Sequence, residues 1–270
     1  MKRNLLLMLI VCLCASPLFA GITYTAIVKS ETEDAESQTG TIHGWASGHN
    51  GKVEFTGAAN PMMPSGSYLI TRDGARTLFL IDPAHKTYSK LDVQSMLDAT
   101  GGMMQSMKTT LKMSFESPKI EKLLDENGGL IAGLPTRHYK YRTTYVMNMQ
   151  YMGNARRTTT ILEEDIWATT KTLDPAMGLW LKKEPAKTGD DQLDSLIASE
   201  MNKVPGFPLK RISVTIMESD GTRQTFRNEM EVRRLTVKPV PLSVFQIPAT
   251  FKEQQPERPG EHDHGEPQEL

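Results

Sequence analysis

Residues 68 to 91 read YLITRDGARTLFLIDPAHKTYSKL, two strand-like runs about Asp73-Gly74. Asp-Gly is a two-residue turn signal, because both central positions of a type I′ turn need positive φ. Pairing outward from that turn sets Leu69 opposite Leu78 on one face and Tyr68 opposite Phe79 on the other. A sheet resting on one core is apolar on one face and polar on the other. Leu78-Phe79-Leu80-Ile81 is apolar without a break, so both faces of this hairpin need a cover.

The same alternation recurs along the chain. Asn50-Gly51, Asn127-Gly128-Gly129, Gly153-Asn154 and Asp220-Gly221 punctuate further strand-like segments, a spacing that predicts an antiparallel meander. A turn at Asn50-Gly51 pairs Ala46 with Phe55 and Gly48 with Val53 on one face, and Ser47 with Glu54 on the other. At Asp220-Gly221 a two-residue turn opposes Ile212, Val214 and Ile216 to Glu229, Arg227 and Thr225. A three-residue loop opposes them to Met230, Asn228 and Phe226, and is predicted for that reason, since a one-residue slip swaps every face.

Two segments have helical period. Val93, Met96, Leu97, Met104, Met107 and Leu111 recur at three- and four-residue spacing, interrupted by Gly101-Gly102, which is expected to kink or split the helix. Leu193, Leu196, Ile197 and Met201 form a second stripe ending before Pro205-Gly206. Ser117-Pro118 opens either a short helix over 120–124 or a strand.

The first twenty residues read as a secretory signal peptide, with Lys2 and Arg3 ahead of an apolar run and Leu18-Phe19-Ala20 as the cleavage site. The apolar run is shorter than a bilayer span, and no second one follows. Both cysteines, Cys12 and Cys14, fall in the leader, so the mature chain is expected to hold no disulfide, thiolate nucleophile or transmembrane segment. Residues 21–251 form one β-rich domain carrying 27 basic and 26 acidic side chains. That balance speaks against nucleic acid, whose binding needs clustered Lys and Arg. Residues 252–270 form an acidic tail without apolar periodicity, expected to be disordered.

Tyr68 to Leu91 with its DPAHKTYSKLD ending, GLPTRHYKYRTTY (133–145), EEDIWAT (163–169) and VPLSVFQIPATFKE (240–253) resemble a family of secreted bacterial proteins, domain of unknown function 4412. That family is similar in fold to the periplasmic lipoprotein carriers and their outer-membrane receptors. The resemblance implies a mainly β (α+β) fold. One curved antiparallel sheet, an incomplete β-barrel, is covered on its concave side by helices and encloses an apolar cavity. On that frame Tyr68, Ile70, Phe79 and Ile81 are expected on the concave side, because their face carries the aromatics and is free of charge until Arg72. Phe55 from the neighbouring hairpin, and Met96, Met104 and Met107 from the helix over the cavity, complete the expected ligand-binding set. Gly101-Gly102 is then either the hinge of a lid or a loop between two fixed helices. The carriers' functional arginine has no assigned match here: Arg72, Arg76, Arg137 and Arg142 all lie on strand-like segments.

Sixteen methionines stand out. Those at 96, 103, 104 and 107 on the helix, and at 147, 149 and 152 near a strand, fit three readings: core filling, a deformable wall for apolar ligands, or a soft Cu(I) site. His262-Asp263-His264 sits in a solvated tail with no geometry to enforce coordination. His43, His49 and His85 lie in or beside turns, and His138 reads as a packed strand residue. Glu163-Glu164-Asp165 reads as an exposed strand edge. No metalloprotease, nucleophile-elbow or phosphate-loop motif is present. The sequence therefore points to a periplasmic binding protein without catalysis, cofactor or metal, holding a lipid or lipoprotein acyl chain. The alternative is an assembly module whose open sheet edge pairs with an envelope protein.

Overall fold

A computed structural model of the chain describes residues 20–33, 35–57, 66–116, 118–171 and 187–254. The expected leader and most of the acidic tail, with its histidines, lie outside the described residues. The described strands are β1 (Ala20–Thr32), β2 (Ala35–Ser47), β3 (Asn50–Gly57), β4 (Tyr68–Thr71), β5 (Thr77–Asp82) and β6 (Thr87–Asp92), followed by β7 (Ser114–Phe115), β8 (Lys119–Ile131), β9 (Leu134–Tyr151) and β10 (Asn154–Thr169), then β11 (Phe207–Ser219), β12 (Thr222–Pro239) and β13 (Lys252–Glu253). Helix α1 (Val93–Thr110) links β6 to β7, and helix α2 (Asp191–Asn202) precedes β11.

All of these strands join one open, curved sheet in the order β13-β6-β5-β4-β3-β2-β1-β12-β11-β10-β9, with β7 and β8 both pairing β9. Every pairing is antiparallel except β13 on β6. Tight turns build the meander: Ala132-Gly133, Met152-Gly153 and Asp220-Gly221 all have positive φ at both positions, the I′ geometry that matches strand twist. Bulges at Thr25/Ala26, Trp167/Ala168 and Asn127/Gly129 interrupt the long ladders, each adding local bend and twist.

Register differs from the sequence reading in three hairpins. The β2–β3 turn is at Gly48-His49, so Ile42 pairs with Phe55 and Gly44 with Val53. In β4–β5, Leu69 pairs with Leu80 and Ile70 with Phe79. There the Asp73 carboxylate accepts from the backbone N–H of Arg76 and Thr77 at 3.1 and 3.0 Å, which holds a longer turn open. Both slips are by an even number of residues, so every face is kept. At β11–β12 the two-residue turn forms after all, opposing Ile212 to Glu229 and Ile216 to Thr225. Asp220 and Gly221, at φ 51° and 77°, satisfy the turn directly, and this local geometry outweighs the apolar match. Asn127-Gly128-Gly129 is a bulge inside β8 rather than a turn, and the segment 120–124 is strand rather than helix.

The register defines two faces. On one, Val232, Ala26, Ile42 and Phe55 follow one another across neighbouring strands, and Tyr24, Gly44, Val53, Leu69 and Leu80 run beside them. The core of Ile22, Ala26, Phe207, Leu209 and Val232 lies here, with Ile131, Ala132 and Leu134 of the β8–β9 turn packed against it. Helix α2 sits on this face. The opposite face carries Trp45, Tyr68, Ile70, Phe79, Ile81 and Tyr88, covered by the chain's own C-terminal segment. Val240, Phe245, Ile247 and Phe251 pack there around a 3₁₀ turn at Leu242–Phe245. Arg72 ties the segment down by donating to the Phe245 carbonyl at 3.0 Å. The C-terminal segment thus covers one face of the hairpin, while Leu69, Leu78 and Leu80 on the other are half-buried.

Helix α1 is continuous through Gly101-Gly102. A Cβ at Gly101 would fall on the Thr188 carbonyl oxygen, whereas one at Gly102 meets nothing. The first glycine permits the close approach of the segment that caps α2, and the pair does not split the helix.

Candidate binding site

Helix α2 forms where the Leu193, Leu196, Ile197 and Met201 stripe places it. Asp190 caps it, accepting from the Leu193 N–H at 3.0 Å, and Asp191 and Asp194 fill the first turn, where carboxylates complement the helix dipole. Asp194 in turn accepts from the Thr188 N–H and hydroxyl at 2.6 and 2.8 Å. Lys108 of α1 bridges to Asp190, so the two helices share one anchor.

Beneath α2 lie alternate residues of β9 and β10. Tyr141 donates its hydroxyl to the Lys203 carbonyl, and Thr143 reaches Glu200 at 3.3 Å. Glu164 is 0% exposed and accepts from both Lys203 and Arg211. Lys203 itself is 6% exposed and also meets Glu200 at 2.5 Å. Burying a carboxylate demands such pairing, so this cluster fixes the C-terminal end of α2 to the sheet. EEDIWAT is therefore no exposed edge: β10 lies between β9 and β11, and period-two alternation turns Glu164, with Ile166 and Ala168, into the covered face.

At the other end of α2 the helix stands off the sheet, leaving a cleft of about 210 Å³. Phe115, Pro118, Tyr145, Leu193 and Leu196 supply an apolar lining, with Glu116, Asp191, Gln192 and Ser195 around it. The Gln192 side chain donates to the Phe115 carbonyl at 3.3 Å, joining helix and sheet edge across the cleft. Burial, with the Glu200 and Glu164 carboxylates adding to it, pushes the Tyr145 hydroxyl up to about 12. The cleft can take an apolar group larger than benzene, which fills an engineered cavity of about 150 Å³.

The structure divides the residues expected to bind ligand. Phe55 is half-buried on the face that α2 occupies. Tyr68, Ile70, Phe79 and Ile81 share one face as expected, but it is the opposite one, where they form a core with the C-terminal segment. On α1, Met96 is 49% exposed, and Met104 and Met107 are half-buried. None of them lines the cleft. Its lining was only partly legible: Leu193 and Leu196 belong to the predicted stripe, whereas Phe115 belongs to a two-residue strand without periodicity. Met147 and Met149 lie within β9, but Met152 is in the following turn and 82% exposed. His138 stacks on Trp167 with ring centroids 4.0 Å apart and meets Asp165 at 2.8 Å, while His43 lies within β2 rather than at a turn.

No family model matches the chain, and no curated protein does. Solved structures similar to it include three for which the match covers 86% of this chain and 91% of theirs. They are a LolA superfamily protein from Nitrosomonas europaea (11% identity, TM-score 0.29), an uncharacterized conserved protein from Thermus thermophilus (8%, 0.31) and a structure described as an outer membrane lipoprotein-sorting protein domain from Vibrio parahaemolyticus (12%, 0.29). Among the described residues no helix is long and apolar enough to cross a membrane, and no group of three or more His, Cys, Asp or Glu side chains could hold a metal ion.

Proposed function

We propose that the protein binds the apolar chain of a lipid or of a lipoprotein acyl group, without catalysis, with the end of the chain in the cleft beneath α2. The carrying observation is the cleft itself, where aromatic and aliphatic side chains converge between a helix and the floor of an open sheet. Ligand sites combine such a lining with a few polar groups. At about 210 Å³ the cleft is smaller than the roughly 300–1,000 Å³ of sites that enclose a whole drug-sized ligand, so it suits one chain end. Phe55, with Val53, Leu69 and Leu80 beside it, gives the same face of the sheet a further half-buried apolar wall. Export to the periplasm and kinship with domain of unknown function 4412 belong to this reading and rest on the leader and the motifs.

The open-edge alternative has less support. The β6 edge is capped by the chain's own β13. The β8 edge carries Lys119, Glu121, Lys122, Asp125 and Glu126 and is broken by bulges, devices that discourage strand addition. Native mass spectrometry of the protein isolated from its own cell envelope tests the reading. A bound species of lipid mass is expected; ligand-free protein, recovered only in complex with another protein, would favour the alternative.

A further inference from the structure

Resting on that reading, we infer that the cleft selects a single-chain amphiphile with a cationic, ammonium-type head over a neutral or anionic one. Among the described residues, the charged side chains lining it are Glu116 and Asp191, and no cation lines it. Three cations near it are engaged: Lys108 by Asp190, Lys203 by Glu164 and Glu200, and Arg211 by Glu164. Arg157 meets Glu116 at 3.2 Å with both side chains largely exposed, an arrangement solvent screens heavily. Among the described residues no cation lies within ion-pair distance of Asp191.

The rings of Tyr145 and Phe115 offer π faces, which attract ammonium groups electrostatically. With an alkyl chain against Leu193 and Leu196, an ammonium head at the mouth gains the carboxylates, and a carboxylate head meets repulsion.

The test compares dodecylammonium, dodecanol and dodecanoate below their micelle concentrations, by titration calorimetry on the full chain at pH 7 and low salt. The expected order of affinity is ammonium, then alcohol, then carboxylate, with up to about fivefold between the first two, the scale of an exposed ion pair. The ammonium preference should shrink in 0.5 M salt, where screening reaches only about 4 Å, and should fall toward unity in Asp191→Asn/Glu116→Gln. The salt arm needs no variant and so stands even if the substitutions unfold the protein. Saturable binding with no preference, or with dodecanoate tightest, overturns this inference and leaves the reading of the cleft intact. No saturable binding of any of the three overturns that reading itself.

Discussion

Replacing Gly101 and Gly102 with alanine one at a time should move stability in opposite directions. Both lie inside α1, where alanine is favoured over glycine by about 1 kcal/mol. At Gly102 nothing lies near the new methyl group, so Gly102→Ala should gain that amount. At Gly101 the methyl meets the backbone carbonyl of Thr188. Thr188 cannot simply move aside, because its N–H and hydroxyl are held by Asp194 at 2.6 and 2.8 Å. The alternative is to push α1 away, against the Lys108–Asp190 bridge. Overpacking of this kind costs about 1–3 kcal/mol. Set against the propensity gain, Gly101→Ala should lose about 1 kcal/mol and stand about 2 kcal/mol below Gly102→Ala. Urea unfolding followed by circular dichroism reads this directly, as midpoints displaced to either side of wild type at an unchanged slope. Equal stabilisation by both substitutions would refute the close approach and restore the glycines as a simple interruption.

Removing the buried acid with Glu164→Gln should destabilise by about 3 kcal/mol, since Lys203 and Arg211 lose their shared partner, and urea midpoints would show it; an effect below about 1 kcal/mol would mean that the cluster is solvated. Partial burial pushes Asp73 up, but hydrogen bonds from Thr77, Thr71 and Arg76 outweigh it and hold the carboxyl below its ordinary value. A depressed carboxyl stabilises the fold above the unfolded value of about 3.9, and that contribution is lost as pH falls through the folded value. Asp73→Ala should therefore cost about 1 kcal/mol at pH 7, and a gap that fails to narrow below pH 4 would contradict this. Phe245→Ala, at a side chain 2% exposed, should cost about 3–5 kcal/mol and increase binding of a hydrophobic dye as Ile70 and Ile81 lose their cover; wild-type stability would detach the C-terminal segment from that face.

The faces of β2 to β5 were legible because strand parity survives slips of two or four residues, which leave Leu69 on the face of Leu80 and Tyr68 on that of Ile81. The one-residue error at β11–β12, by contrast, opposed the wrong faces. Which face the helix takes was not legible, since both sets are apolar and the cover on the Tyr68 side comes from residues 240–251, far along the chain. The helices themselves were legible from their stripes. The role of Gly101 was not, because its reason is a carbonyl 87 residues away in sequence. Glu164 shows the opposite case: its period-two placement with Ile166 and Ala168 was on view, but a charged triplet reads as solvent-facing until the alternation is taken at its word. The cleft depends on how far α2 stands from β9, a distance that no local pattern encodes.

The central claim is that an apolar chain enters between α2 and the sheet. Its most direct test is titration with the neutral apolar dye N-phenyl-1-naphthylamine, for the wild type and for Leu196→Trp, which fills the cleft from the helix side. Saturable binding by the wild type, weakened at least about tenfold in a variant that stays folded by circular dichroism, is the predicted result. Equal binding by both proteins, or none by the wild type, would contradict it.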